Sequence, residues 1–207
     1  MDDYKKIYMD FEKHLLEDEQ PSDYFNRIFQ GNSFADKHPF NILNKLKHIQ
    51  QSPKYHPEGS VWNHTMLVID YAALKKDQSS NPKFFMWAAL LHDLGKIPAT
   101  KIKKDRVTAY DHDRLGEKLA IDFLEAIDAD KDTIYAVSKM VRWHMQILYL
   151  LKDLPFADIR TMLKEVQLDD IALLSLCDRL GRGNISPSCQ LEEEKNVRLF
   201  IEKCKQT

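Results

Sequence analysis

The feature that most constrains this chain is the spacing of its apolar residues, which recur every three or four positions along most of its length. Such spacing places apolar side chains on one face of an α-helix. Alternating strand patterns are nearly absent, and only 6 of the 207 residues are glycine. We therefore predict an all-α fold with a polar loop at 96–111, a short helix through 28 and 29, and longer helices near 2–18, 40–50, 60–75, 84–94, 112–127, 132–147, 157–165, 169–180 and 188–205.

Charge composition limits the partners that the chain as a whole attracts. Lys and Arg number 30 and Asp and Glu number 32, so the formal net charge is −2. No overall cationic field therefore indicates nucleic-acid binding. The loop from Lys101 to Arg106 is basic and lies between candidate site residues, so it is suited to attract a phosphorylated or nucleic-acid substrate. An ordinary solvated loop has the same composition, and both interpretations stay open.

The number and spacing of the cysteines and the length of the apolar runs indicate a cytoplasmic location. Cys177, Cys189 and Cys204 form no CxxC pair and no disulfide framework, which is typical of reduced thiols in the cytoplasm. The N-terminus has neither the basic start nor the apolar core of a signal peptide. No apolar run approaches about 18 residues, the length that spans a bilayer. We expect a cytoplasmic protein with no membrane partner.

The helix at 84–94 is apolar nearly all round, which predicts a buried central helix. Asn81 and Pro82 provide its start signal, and Gly95 provides its stop. His92 and Asp93 lie at its C-terminal end. A charge buried there is costly unless it is paired or coordinates a metal ion.

A hydrogen-bonded core histidine would explain His92 if it were alone, but other polar side chains occupy comparable apolar surroundings. These are His64, His112, His144 and Asp178. Imidazole together with carboxylate is suitable ligation for Mn, Fe, Co, Ni or Zn. The set therefore indicates a divalent-metal site.

The motifs around these residues resemble the HD-domain superfamily of metal-dependent phosphohydrolases. His92-Asp93-Leu94-Gly95-Lys96 matches its His-Asp-(Ile/Leu)-Gly-Lys motif. The flanking segments are similar to the HD region of bacterial tRNA nucleotidyltransferases, and they comprise His56-Pro57-Glu58, Val61 to Thr65, His112-Asp113-Arg114 with Gly116, and Asp178 with Gly181-Arg182. The resemblance covers about residues 50–190. Residues 1–50 lack the Gly-Gly loop and paired aspartates of the nucleotidyltransferase head, so CCA addition is not expected.

The resemblance implies an HD-domain helical bundle at 51–207, with residues 1–50 as an N-terminal helical cap or appendage. It implies that His64, His92, Asp93 and Asp178 are core metal ligands. His112 and His144 match positions that bind a second ion in some HD proteins, or else contact substrate around a single ion. The cofactor is then one or two divalent transition metal ions (Fe, Mn, Ni, Co or Zn), with Mg²⁺ as an alternative.

Further roles are predicted for individual residues. Asp93 would bridge or orient the nucleophile. Lys96 lies just past the predicted end of the helix, so it would stabilise charge on the phosphoryl group as a catalytic and substrate-binding residue, or else is an exposed lysine beside Gly95. Arg114 and Arg182 would bind phosphate through bidentate hydrogen bonds from their guanidinium groups, or else form surface ion pairs. His56 precedes a proline and is predicted to be structural or to line the rim of the site.

The implied function is hydrolysis of a phosphomonoester or phosphodiester. The expected substrate is a phosphorylated small molecule, most simply a nucleotide, with RNA as an alternative. Two rival functions stay open: a non-catalytic HD module that senses a nucleotide or tRNA, and a di-iron oxygenase built on a similar ligand set. The sequence does not determine the oligomeric state.

Overall fold

The computed structural model of the chain describes residues 2–31, 34–104 and 106–207, and this part is predominantly helical. The all-α prediction is confirmed. The helices are α1 (Asp2–Glu17), α2 (Pro21–Ile28), α3 (Asn41–Lys45), α4 (Val61–Ala73), α5 (Pro82–Leu91), α6 (Lys96–Ala99), α7 (His112–Ala126), α8 (Lys131–Trp143), α9 (Gln146–Leu151), α10 (Ile159–Glu165), α11 (Leu168–Leu180) and α12 (Pro187–Lys205). Short 3-10 helices lie at Leu46–His48 and Lys76–Gln78, and the two strands are β1 (Thr100–Lys103) and β2 (Arg106–Ala109).

Helix α5 is the buried centre of the fold, as predicted. Every residue from Phe85 to Leu91 is fully buried, and α5 packs against α1, α4, α8 and α11. Asn81 caps its N-terminus, because its side chain accepts a hydrogen bond from the Phe84 N–H at 3.2 Å. The side chains at its C-terminal end therefore follow a fully buried element that is packed on four other helices.

The end of α5 differs from the prediction in position and in cause. The helix ends at Leu91 rather than Leu94, so His92 and Asp93 lie in the turn that follows it. Gly95 has a φ of −64°, so it is not a left-handed helix stop. A Cβ at Gly95 would overlap the backbone carbonyl of His112 and the backbone nitrogen of Gly116. Glycine is needed here because the turn presses against the first turn of α7.

The predicted loop at 96–111 is instead α6 followed by a β-hairpin, and this prediction was wrong. Strands β1 and β2 pair antiparallel, with Ile102 opposite Val107 and Lys103 opposite Arg106. Lys104 enters the turn with a φ of 47°, and Asp105 lies outside the described residues. Strands of four residues that carry several charges lack the apolar alternation that identifies a strand in a sequence.

The predicted helix at 132–147 was also wrong, because it is interrupted at His144. Helix α8 ends at Trp143, and α9 begins again at Gln146 and continues to Leu151. The apolar spacing continues across the break, so spacing alone gives no sign of it. The break turns the His144 side chain toward the end of α5.

The N-terminal helices share the core of the rest of the chain. Tyr8 of α1 stacks on Trp87 of α5 with ring centroids 5.3 Å apart, and Phe11 packs edge-on against Phe25 of α2 at 4.9 Å. The Ser22 hydroxyl donates to Asp70 of α4 at 2.7 Å. The division at residue 50 stays a prediction. Over the residues that the structure describes, no helix has the length and apolar character needed to cross a bilayer.

Candidate metal centre

The structure brings six predicted residues from five segments of the chain to one place. They are His64 of α4, His92 and Asp93 after α5, His112 at the start of α7, His144 after α8, and Asp178 of α11. The four histidines and Asp93 are buried, and the Asp178 side chain is 14% exposed. A cluster this deeply buried needs compensation for the lost hydration of its polar groups.

The carboxylate of Asp93 lies at the centre of the cluster. Its Oδ2 atom is 3.3 Å from His92 Nε2 and 3.8 Å from His64 Nε2. Its Oδ1 atom is 3.5 Å from His112 Nε2 and 4.0 Å from His144 Nε2. Each oxygen therefore faces its own pair of imidazoles, and each of these two groups of side chains could hold a metal ion.

Backbone carbonyls fix the tautomer of three of the histidines. Each ring places Nδ1 against the carbonyl three residues earlier: His92 on Ala89 at 2.9 Å, His112 on Ala109 at 2.8 Å, and His144 on Val141 at 2.6 Å. A carbonyl only accepts, so Nδ1 carries the hydrogen and the Nε2 lone pair is free to bind a metal ion.

These Nε2 atoms have no adequate protein partner among the described residues. His92 Nε2 is buried without a hydrogen bond. His112 Nε2 and His144 Nε2 lie 3.2 Å apart, although both are acceptors when Nδ1 carries the hydrogen. Two facing lone pairs repel each other unless a proton or a cation lies beside them. The imidazole nitrogens and carboxylate oxygens of the cluster therefore fit a divalent metal ion, because transition metals bind both kinds of ligand atom.

The electrostatics of the cluster keep its carboxylates ionised and two imidazoles neutral. Burial alone raises the pKa of Asp93, but the charges of Lys96 and His92 hold it well below its ordinary value. Burial lowers the pKa of His144 to about 4, with neighbouring histidines acting in the same direction. Burial also lowers the pKa of His112. Ionised carboxylate and neutral imidazole are the forms that bind metal ions.

His64 is oriented by a side chain that the predicted site did not include. Its Nδ1 lies 2.9 Å from Glu58 Oε1, while its Nε2 lies 2.9 Å from Asp178 Oδ1. Glu58 also contacts His56 Nδ1 at 2.8 Å and accepts from the Gly183 N–H at 3.1 Å. The motif His56-Pro57-Glu58 was the sequence signal for this contact.

A cleft of about 740 Å³ opens above the cluster. Lys96 lines it, and its Nζ lies 2.6 Å from both Asp93 Oδ2 and Gln51 Oε1. Arg182 lines it too, and the Arg182 Nε is buried without a hydrogen-bond partner among the described residues. Arg114 is exposed and does not line the cleft. Sequence reasoning missed Arg179, which lines the cleft and gave no motif signal of its own.

Comparison with known proteins identifies the family and the relatives that the chain resembles. The family model described as HD domain matches residues 61–183, more than half of the chain. A Multifunctional CCA protein of Haemophilus ducreyi is 37% identical over 92 residues, which are 44% of this chain and 22% of that protein. A protein of the same description from Alkalilimnicola ehrlichii is 28% identical over 142 residues, or 69% of this chain and 32% of that protein.

A third Multifunctional CCA protein, from Pasteurella multocida, is 32% identical over 113 residues, covering 54% of this chain and 26% of that protein. The chain thus spans about a fifth to a third of the length of these three relatives. The resemblance expected from the motifs is confirmed at the level of the HD region. All six clustered residues fall inside the matched segment.

Proposed function

The chain belongs to the HD domain family, and from this premise we propose that it hydrolyses a phosphate ester of a small molecule, most simply a nucleotide. The observation that carries the proposal is the Asp93 carboxylate, whose two oxygens each face two histidine Nε2 atoms. This arrangement would hold two divalent ions. A bound divalent ion would lower the pKa of a water molecule and neutralise charge on a phosphoryl oxygen.

The ligand roles divide between the two proposed ions. His64, His92 and Asp178 would hold one ion together with Asp93. His112 and His144 would hold the other, also together with Asp93. Asp93 has a pKa held far below its ordinary value by Lys96 and His92 despite burial, so it orients the attacking water as an acceptor rather than keeping a proton.

Lys96 is the cation nearest the reacting phosphoryl group. Its side chain is 12% exposed and reaches Asp93 Oδ2 at 2.6 Å, so its charge lies beside the position where negative charge grows in the transition state. Arg182 lines the same cleft, and its Nε has no hydrogen-bond partner among the described residues. In this proposal Arg182 donates hydrogen bonds to the phosphate group of the substrate. In the net reaction the water oxygen bonds to phosphorus, the ester P–O bond breaks, and the leaving oxygen takes a proton.

Elemental analysis of the purified protein tests the site. We expect about two ions per chain, about one in His112→Ala with His144→Ala, and the full content in His48→Ala, which alters an exposed histidine outside the cluster. One ion in both the unchanged and the doubly substituted protein would assign His112 and His144 to substrate contacts. An absence of metal even after reconstitution would contradict the proposal.

Turnover assays with p-nitrophenyl phosphate, bis-p-nitrophenyl phosphate and nucleoside monophosphates test the reaction. We expect phosphate release that disappears in Asp93→Ala. A metal-loaded protein that binds nucleotide tightly but releases no phosphate would favour the sensing module over the hydrolase. Iron as the dominant metal, with oxygen consumption in place of ester hydrolysis, would favour the oxygenase.

A further inference from the structure

The cations of the hairpin are not among the residues that line the cleft. Side chains alternate between the two faces of a strand, and residues opposite each other share a face. The pairs Thr100–Ala109 and Ile102–Val107 therefore share one face, and Lys103–Arg106 lies on the other together with Lys101–Thr108. The hairpin residues that line the cleft are Thr100, Val107, Thr108 and Ala109. Lys101, Lys103 and Arg106, which share a face with Thr108, do not line it. The described part of the hairpin thus contributes two threonines, Val107 and Ala109 to the lining of the cleft, and no cation that could follow a phosphate backbone.

Another part of the cleft lining, from the turn after α8, from α9 and from α12, is largely apolar. Met145, Leu148 and Leu151 follow His144 on the turn and on α9 and line the cleft together. Leu199 of α12 lines it too and is 44% exposed. Apolar walls above a polar metal centre suit a ligand with one charged end and a less polar body.

The charges that line the cleft are balanced. Its cations are Lys96, Lys152, Arg179 and Arg182, and its carboxylates are Asp93, Asp178, Glu192 and Glu193. A groove that follows a nucleic-acid backbone needs an excess of cations. The described lining therefore offers no surplus of side-chain cations for a further phosphate group beyond one held at the proposed metal ions.

Arg179 is a cation of the cleft whose charge is engaged by a carboxylate outside the proposed metal centre. It is 9% exposed, and its Nη1 donates to Glu193 Oε2 at 2.7 Å. Asn196 donates to the same oxygen at 3.0 Å and so fixes the carboxylate in place. Glu192, the neighbouring carboxylate, makes no hydrogen bond or ion pair with the described residues and thus does not restrain any cation.

We propose that Glu193 determines substrate specificity by withholding Arg179 from the ligand, so that the cleft accepts a small ester with one phosphate group at the metal centre and discriminates against a second phosphate or an RNA backbone. This inference rests on the proposed function, because it assumes that the phosphate to be cleaved lies above Asp93. Asn196 is a positioning residue in this assignment, since it acts through Glu193.

The test compares adenosine 5′-monophosphate with adenosine 3′,5′-bisphosphate, which differ only in the second phosphate. Their dissociation constants are measured by titration calorimetry on the metal-loaded full chain. Glu193→Gln releases Arg179, so we expect the affinity for the bisphosphate relative to the monophosphate to rise about tenfold, as one charge-assisted contact provides. Glu192→Gln removes the same charge from the same cleft but releases no arginine, and is expected to change the ratio less than about twofold.

A combined Glu193→Gln and Arg179→Gln variant decides whether a gain comes from Arg179. The ratio should return to that of the unchanged protein, which a general loosening of α12 would not produce. Equal ratios in all proteins, equal gains from the two glutamate variants, or no binding of either nucleotide would overturn the inference. Turnover of p-nitrophenyl phosphate is recorded for each variant. If no protein hydrolyses it, the hydrolase proposal fails while the binding ratios still decide the role of Glu193.

Discussion

Nδ1 of His64 lies 2.9 Å from the Glu58 carboxylate, which makes His64 the one histidine of the cluster oriented by a side chain rather than by a backbone carbonyl. Burial lowers the pKa of His64, but hydrogen bonds with Asp178 and Glu58 raise it above its ordinary value. A carboxylate behind a ligand histidine fixes the ring and increases its basicity. We therefore include Glu58 in the proposed metal centre, as the residue that would orient His64 rather than bind an ion.

We expect Glu58→Ala to weaken metal binding by about 10- to 100-fold, the usual effect of losing such a partner. Glu58→Gln keeps an acceptor for the His64 Nδ1–H and should lose less. Chelator competition measures the affinity, and circular dichroism confirms that both variants fold. Glu202→Gln, an exposed site on α12, is the matched control. Unchanged affinity in folded Glu58→Ala would contradict the role of Glu58.

The sequence was sufficient to predict the helical class and the residues that converge. Polar side chains such as His64 and Asp178 occur within apolar helices, where only a partner or an ion makes them tolerable. Their roles as ligands stay predictions until metal content is measured. Convergence itself follows from the fold. His92 and Asp93 follow α5, His144 follows α8, which packs on α5, and His112 begins α7, which packs on α8.

Contacts between distant segments could not be predicted in this way. The Gly183 N–H donates to Glu58 from 125 residues away, and Arg179 meets Glu193 only because α12 folds back on α11. No periodic pattern records such pairings. The β-hairpin and the break at His144 were missed for a related reason, since tertiary contacts rather than local spacing determine both.

Lys96→Met should reduce kcat by about 10²-fold or more while leaving the metal content close to normal, because it removes a preorganised positive charge beside the phosphoryl group. Lys101→Met is the control, since Lys101 is exposed and is not among the residues that line the cleft. Steady-state kinetics with p-nitrophenyl phosphate and elemental analysis give the two readouts. Equal activity in the two variants would remove Lys96 from the reaction.

Gly95→Ala should destabilise the protein by about 1–3 kcal/mol and also reduce its metal content. The added Cβ would overlap the backbone of His112 and Gly116, and so would displace a proposed ligand. Gly31→Ala is the contrast, because Gly31 has a φ of +64° but no atom within 4 Å of an added Cβ. It should lower the melting temperature slightly and leave metal content unchanged. Thermal unfolding with elemental analysis separates the two cases.

Asp130→Ala should lower the free energy of unfolding by about 1 kcal/mol at pH 7, because Asp130 caps α8. Hydrogen bonds from the Thr133 N–H and hydroxyl lower the pKa of Asp130 below its ordinary value of 3.8. A lowered carboxyl pKa contributes stability above that ordinary value, and the contribution is lost as the pH falls below it. The difference from the unchanged protein should therefore shrink below about pH 4. Asp130→Asn, whose side chain can cap the helix but does not titrate, should keep most of the stability. Urea unfolding of the three proteins at pH 7 and below about pH 4 measures these differences.

The three cysteines should differ in reactivity in the folded protein, because a thiol reacts as its thiolate. Burial raises the pKa of Cys177 to about 12 and that of Cys204 to about 11, whereas Cys189 is exposed. Near pH 8 we expect one thiol per folded chain to react quickly with an aromatic disulfide reagent, as measured by absorbance. That signal should disappear in Cys189→Ser, and all three thiols should react after denaturation. Fast labelling of Cys177 in the folded state would show that α11 opens and would contradict the packing of the helix that carries Asp178.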